Sequence, residues 1–431
     1  MRSAQGWAAR SSSPIQGSAR TCAPTRLRSQ VVAAPVVAVV GGGQLARMMA
    51  PAAVALGVHL RVLVEATDSS AAQVVPDSPV GAASDDVAIR SLVEGADVLT
   101  FEHEHVPNAL LLDLRGHGIP VHPGPEALVH AQDKIVMRRR LTELGLPCPR
   151  WAEIPDAASL DHFLVEVGGT AVVKTSRGGY DGKGVRVVHS VEDVADWFEA
   201  ALDGPALLAE EKVAFSRELA VLVARSPSGE IRTWPVVESI QEDGVCSVVV
   251  APAPDLHPAV EEQARQVATA VAEGLGVTGV LAVELFEVPG AGGGEGSVVV
   301  NELAMRPHNS GHWTIDGSVT SQFEQHLRSV LDLPLGDTSA RARWTVMANV
   351  LGSTRSELTD ALAEVSLADP SVKVHLYGKG VRPGRKLGHA TATGDDLTDV
   401  RRRAEAAAAI IQGETSTVPD STVTDTEGED S

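Results

Sequence analysis

The sequence predicts an α/β protein of three units, with α+β character in the central one. Three observations carry that prediction. The chain of 431 residues is long enough for about three domains at roughly 100–200 residues each. The apolar run from Val36 to Val40 enters Gly41-Gly42-Gly43 and then a helical pattern, which opens a βαβ unit and implies a parallel sheet. The middle of the chain consists of short strand-like runs joined by Gly loops, with one clear helix from Pro258 to Leu275.

The elements follow in order. The first unit, residues 33–130, has strand Val36 to Val40, then a helix from Gln44 to about Leu56 stopped by Gly57. Strands follow at Leu60 to Val64, Asp97 to Phe101 and Ile119 to Val121. A helix from Glu126 to Leu144 and the Pro-rich join LPCPRW lead into the central unit, residues 131–335. Its subdomain of about 150–215 holds strands at Thr170 to Lys174, Gly184 to His189 and Ala206 to Glu210. A hairpin pairs Arg217 to Arg225 with Arg232 to Ser239 around Pro227-Ser228-Gly229. After the helix stopped by Gly276 come strands Val280 to Val288 and Ser297 to Ala304. Residues 340–412 form a smaller third unit.

The ends differ. Residues 1–30 hold five arginines and no acid, the first acid being Glu65. Such a leader is similar to an organelle transit peptide but lacks an amphipathic pattern. Residues 1–32 are therefore read as a disordered extension, or as sequence ahead of a later start near Val31. The polar, acidic stretch 413–431 has little to bury and is expected to be disordered.

Composition narrows the function classes. Hydrophobic residues make up 44% and charged residues 21%, enough for real cores without structural metals or disulfides. A formal charge of −20 argues against a nucleic-acid partner and against an anionic membrane surface. A phosphorylated ligand then needs local cations or a metal. Cys22, Cys148 and Cys246 are too few and too scattered for a disulfide framework or a CxxC site, and fit a reducing, cytoplasmic setting. No apolar run approaches the ~20 residues of a membrane span.

Four constellations carry chemistry. Gly41-x-Gly43-x-x-Ala46, with Glu65 after the next strand, is a variant dinucleotide fingerprint, although many α/β folds use that turn without a dinucleotide. VVKTSRGGYDGKGVRVV is more specific: Lys174 ends a strand, four glycines make a loop, and a strand resumes at Val185. Strand–loop–strand is not a Walker loop, which needs a helix. It suits a flap over a triphosphate, with Lys174 on a phosphate and Lys134 as a second cation; a lone lysine there would be a solvated charge. Glu284 and Glu302 interrupt two apolar strands, which is costly unless they bind a cation or a partner. Two such acids suit Mg²⁺, while the plainer reading is a salt bridge to a nearby arginine; a pair of glycosidase acids leaves the flap unexplained. NELAMRPHNSGHWT crowds Arg306, His308, Asn309, Ser310 and His312 into one turn, a set of donors for a small oxyanion.

Together with GGGQLARMM, TFEHEHV, EEKVAFSRE and YGKGVRPGRKLGH, these segments resemble the ATP-grasp superfamily. Within it they are most similar to the 5-(carboxyamino)imidazole ribonucleotide synthase family, over about residues 33–412. The resemblance implies an ATP-grasp core with a Rossmann-like N-terminal domain and a small C-terminal domain, assembled as a homodimer. It implies a carbon–nitrogen ligase of purine biosynthesis using ATP, Mg²⁺ (or Mn²⁺), bicarbonate and 5-aminoimidazole ribonucleotide. Lys134 and Lys174 would contact ATP phosphates beneath the flap Gly179, Tyr180, Asp181, Gly182, Lys183, Gly184 and Val185. Glu210, Glu211, Lys212 and Val213 would form the adenine hinge, Glu218 would hold the ribose, and Gln241 would contact the nucleotide. Glu284 and Glu302 would bind the metal, with Asn301 beside them. Arg306, His308, Asn309 and Ser310 would bind bicarbonate and carboxyphosphate. Tyr180, Asp181, Lys183, Glu104, Lys379 and Arg385 would contact the ribonucleotide, with Asp181 as base. Met305, Ala46, Gln241 and Lys183 replace the family's frequent Pro, Gly, His and Arg, which bears on affinity and not on reaction class. The rivals are another ATP-grasp ligase, such as a formate-using glycinamide ribonucleotide transformylase, an NAD(P)-linked oxidoreductase built on the 41–46 turn, and an idle nucleotide-binding module.

Overall fold

The computed structural model describes residues 34–178, 184–202, 204–290, 292 and 294–414. The expectations for residues 1–32, for Gly179, Tyr180, Asp181, Gly182 and Lys183 of the flap, and for the tail beyond 414 lie outside the described residues.

Strands β1 (Val36–Val40), β2 (His59–Leu63) and β3 (Val98–Phe101) form a parallel sheet in the order β2-β1-β3. The expected strand at Ile119 to Val121 is a single bridge from Val121 to Leu99. Helix Gln44–Leu56 follows β1 and ends at Gly57, whose φ of 67° is the left-handed turn that glycine accepts without strain. The faces of β1 alternate. Val37 and Val39 pack with Leu45 and Met49, and with Phe323 and Leu327 of helix Gln322–Val330 in the central unit. Ala38 and Val40 face Ile89 and Leu111 on the other side.

The central unit has two sheets. Strands β4 (Trp151–Ile154), β5 (Ala171–Thr175), β6 (Val185–Val188) and β7 (Leu207–Glu211) form an antiparallel sheet in the order β4-β7-β5-β6. The larger sheet takes β8 (Arg217–Arg225), β9 (Ile231–Thr233), β10 (Val237–Glu242), β11 (Val245–Ala251), β12 (Gly279–Val288) and β13 (Ser297–Ala304). It continues through β14 (Trp344–Leu351), β16 (Lys386–Gly394) and β15 (Lys373–Leu376), because β11 pairs with β14 along Val248 to Ala251. The strands of the C-terminal unit thus extend the central sheet.

Two further sequence expectations are corrected. The helix expected from Glu126 to Leu144 is two helices, Pro125–Gln132 and Lys134–Glu143, broken at Asp133. Asp133 is extended, and its carboxylate accepts from the amides of Ile135 and Val136, capping the second helix. That break puts Lys134 in the first turn, tied by its own amide to the Ser176 carbonyl at 2.8 Å. The strand expected from Arg232 to Ser239 is interrupted after Thr233. Pro235 has no N–H for a ladder, and the buried Trp234 indole turns away to donate to the Thr320 carbonyl at 3.1 Å.

His326 joins the first two units. The Val280 amide donates to its Nδ1 at 3.1 Å, so Nε2 carries the proton and donates to Thr100 Oγ1 at 2.8 Å. Burial pushes this imidazole down to about 3. The unfolded chain takes up that proton near pH 6.5 and the folded protein does not, so stability falls as pH drops from 6.5 toward 3. The slope from this one group reaches about 1.4 kcal/mol per pH unit. Melts of His326→Gln between pH 7 and 5 should lose less thermal midpoint than the parent; an equal loss contradicts the assignment.

Candidate active site

A cleft of about 1150 Å³ opens where the three units meet. The first unit contributes Gln44, Glu102 and Glu104 to its wall. The flap sheet and its neighbours contribute Lys134, Lys174, Val185, Glu210, Glu211, Lys212 and Val213. The large sheet contributes Glu218, Gln241, Glu284, Asn301 and Glu302, and the turn after β13 adds Arg306, His308, Asn309 and His312. Lys379, Arg385 and Lys386 come from the C-terminal unit. The structure thus brings the described site residues predicted from sequence to one cleft, except two. Ser310 is buried behind the wall, with its hydroxyl 2.9 Å from His308 Nδ1. Gly184 is away from the cleft lining, its carbonyl accepting from the Thr175 amide at 3.0 Å.

Within this cleft cations and anions are matched. Lys134 Nζ lies 3.0 Å from Glu302, and Lys174 Nζ 2.8 Å from Glu210. Arg306 Nε lies 3.0 Å from Glu104, whereas the His308 imidazole, 3.2 Å from Glu284 through Nε2, is a neutral neighbour of that acid. Gln44 Oε1 accepts from Lys379, and Arg385 donates to the Gly380 carbonyl at 2.9 Å. A local balance of charge at the cleft offsets the acidity of the whole chain.

Glu210, which the resemblance places in the adenine hinge through its backbone, lines the cleft and has a side chain with a separate task. Its carboxylate is buried and points inward, pairing with Lys174 through one oxygen and with Arg138 through the other at 2.7 Å. Despite burial, Arg138 and Lys174 hold it down at about 2. Arg138 is fully buried and donates on to the carbonyls of Val300, at 2.9 Å, and Asn301, at 2.6 Å. One guanidinium therefore ties the lysine strand to the strand that carries Glu302. Sequence reading misses Arg138, because in the run Arg138-Arg139-Arg140 it looks like a solvated helix face.

Glu284 and Glu302 are direct partners across β12 and β13. Burial raises the Glu284 carboxyl first, and repulsion from Glu302 and Glu218 adds to it. Burial likewise pushes His308 well below the ordinary imidazole range, with Arg306 and Lys386 adding to the effect.

The 41–46 turn is closed to a dinucleotide phosphate. The Glu102 carboxylate accepts from the amides of Gly43 and, at 3.0 Å, Ala46, at the N-terminus of helix Gln44–Leu56. The chain's own anion occupies the position a pyrophosphate needs. This corrects the oxidoreductase reading and gives Gly43 its reason: a Cβ there would collide with a Glu102 oxygen. Gly43→Ala should cost about 1–3 kcal/mol, the range for overpacking a tight site, as read by urea denaturation; an unchanged midpoint contradicts this packing.

Known proteins bear on this geometry. Family models match in chain order: the ribonucleotide synthetase preATP-grasp domain over residues 35–132, the ATP-grasp domain over 139–323, and the phosphoribosylaminoimidazole carboxylase C-terminal domain over 345–403. N5-carboxyaminoimidazole ribonucleotide synthase of Mycobacterium tuberculosis is 54% identical over 379 residues, covering 87% of each chain. The carboxyaminoimidazole ribonucleotide synthase of Aspergillus clavatus, solved with ATP, superposes with a TM-score of 0.79 at 32% identity, over 89% of this chain and 99% of that one. A second structure from that organism, with ADP and 5-aminoimidazole ribonucleotide, gives 0.78 at 31% identity over 88% and 98%.

Proposed function

The chain belongs to the N5-carboxyaminoimidazole ribonucleotide synthase family of ATP-grasp ligases, and on that premise we propose how its cleft works. The enzyme carboxylates the amine of 5-aminoimidazole ribonucleotide with ATP and bicarbonate, a step of purine biosynthesis. The observation that carries the residue roles is the meeting of Lys134, Lys174, Glu284, Glu302 and the Arg306–Asn309 turn in one cleft.

Lys134 and Lys174 hold the ATP phosphates, exchanging their carboxylate partners for phosphoryl oxygens. A bicarbonate oxygen, held by Arg306, His308 and Asn309, attacks the γ-phosphorus. The new O–P bond forms as the bond to the β-phosphate oxygen breaks, giving carboxyphosphate and ADP. The carbon–oxygen bond of carboxyphosphate then breaks toward phosphate, which also takes the hydroxyl proton, and CO₂ is released inside the cleft. The ribonucleotide amine attacks that carbon and gives its proton to a base, for which Asp181 of the flap is our assignment. Glu104, Lys379 and Arg385, with Tyr180 and Lys183 of the flap, hold the ribonucleotide. Glu210 to Val213 and Glu218 frame the nucleoside, with Gln241 nearby.

Two facing carboxylates, one with a raised proton affinity, fit Mg²⁺ or Mn²⁺, and among the described residues no cluster of three metal-ligating side chains forms a closed site. Such an ion keeps phosphate and water ligands and would neutralise charge on the transferring phosphoryl group. A cytoplasmic homodimer is part of the same proposal, supported by the sparse cysteines and the family resemblance.

The test is isotopic. With ¹⁸O-bicarbonate, one labelled oxygen should appear in the released phosphate. Unlabelled phosphate alongside carboxylated product would rule out carboxyphosphate.

A further inference from the structure

His312 lines the cleft, and although its turn reads as a set of oxyanion donors, the proposed mechanism gives this residue no task of its own. It is fully buried, and its ring is stacked 5.2 Å from His389 and 5.9 Å from Phe323. Its protonation pattern follows from backbone groups. The His308 amide donates to Gln322 Oε1 at 2.8 Å, and Gln322 Nε2 donates to the His308 carbonyl at 2.8 Å. A backbone N–H can only donate and a carbonyl can only accept, so the orientation of the Gln322 amide is fixed. The same Nε2 faces His312 Nδ1 at 3.0 Å, which must therefore accept. The proton of His312 is on Nε2, and that buried N–H has no partner among the described residues.

Gln322 is itself held. Its backbone N–H donates to Thr314 Oγ1 at 2.9 Å, and that hydroxyl donates to the Gly311 carbonyl at 2.6 Å. A Cβ on Gly311 would collide with Gln322 Oε1. The segment from His308 to Thr314 is folded around the Gln322 side-chain amide, which holds the His308 backbone and orients the His312 imidazole.

A buried N–H without a partner is costly, so an acceptor is expected opposite it. Lys386, His375, Arg306 and Lys379 act electrostatically on it, and the three fixed cations among them favour an anionic acceptor. They also join burial in pushing this imidazole down to about 3, so it is a neutral donor that keeps its proton.

Resting on the proposed function, we propose that His312 is a further catalytic residue, whose Nε2–H holds a carboxyl oxygen of the bicarbonate-derived group. That oxygen is an acceptor in carboxyphosphate, in CO₂ and in the final carbamate. A donor that stays neutral can follow it through all three without protonating it. Its work is retention: the one-carbon unit stays aimed at the amine after phosphate has left.

The experiment is the yield of carboxylated product per ADP, with bicarbonate and 5-aminoimidazole ribonucleotide present. The parent should give one for one. His312→Phe keeps a ring in the stack without a donor; it should still form ADP, within about tenfold of the parent rate, while product per ADP falls below half. His312→Gln restores an N–H and should recover most of the coupling. One-for-one product from His312→Phe overturns the proposal. No bicarbonate-dependent ADP from the parent overturns the proposed function, and this inference with it. Should His312→Phe fail to fold, ¹⁵N-histidine NMR of the parent decides. Adding ADP and phosphonoacetate, a stable carboxyphosphate mimic, should shift the His312 Nε2–H resonance downfield, and an unmoved resonance rejects the contact.

Discussion

Arg138→Met is expected to destabilise the protein by about 3 kcal/mol, near the lower end for breaking a buried ion pair. The methionine fills the space of the aliphatic stem but leaves three acceptors without donors: Glu210 Oε1 and the carbonyls of Val300 and Asn301. Lys174 still neutralises the other Glu210 oxygen, which keeps the loss from the top of the range. The same change should raise the KM for ATP more than the KM for the ribonucleotide, because the lysine strand and the Glu302 strand lose their shared tie. Arg138→Lys keeps the charge without the fork and should fall between. Urea denaturation and initial rates check both parts. An Arg138→Met protein as stable as the parent would contradict the buried triad, and equal KM changes would contradict the coupling.

Glu284→Gln should inactivate the enzyme and stabilise the fold. With a carboxyl raised by burial and by Glu302, the folded protein holds a proton that the unfolded chain gives up near pH 4.5. The unfolded state therefore binds fewer protons, and stability falls as pH rises above 4.5 until the folded group titrates. Gln removes that penalty, so at pH 7 in EDTA the variant should gain at least one pKa unit's worth, about 1.4 kcal/mol. Its kcat should drop about 10³-fold, which corresponds to ~4 kcal/mol of lost charge stabilisation. A variant that is both inactive and destabilised would show Glu284 to be a structural acid.

The legible part of the molecule was local. Val36–Val40, the Gly57 stop, Arg217–Arg225 and Ser297–Ala304 each carry their own pattern of apolar run and turn residue, and the structure has them within a residue or two. The single helix read across residues 126–144 failed because Asp133 is an ordinary polar residue in a helical pattern; its role as a cap depends on the chain turning there to meet Ser176. The candidate site residues were legible where an unusual type stands out, as with Glu284 inside an apolar strand. Arg138, Glu102 and Gln322 were not, since what makes them important is a partner 59 to 163 residues away, or an amide turned inward, and neither leaves a mark in the local sequence. The extension of the central sheet by β14, β16 and β15 was hidden for the same reason: pairing between β11 and β14 has no local signature.

The central claim is that one cleft couples ATP cleavage to carboxylation of the ribonucleotide amine. The most direct measurement is ADP release from MgATP with bicarbonate, with and without 5-aminoimidazole ribonucleotide, in the parent and in Glu302→Ala. The account predicts release that needs bicarbonate, rises strongly with the ribonucleotide and disappears in the variant. Release that ignores the ribonucleotide, or that survives in Glu302→Ala, would contradict it.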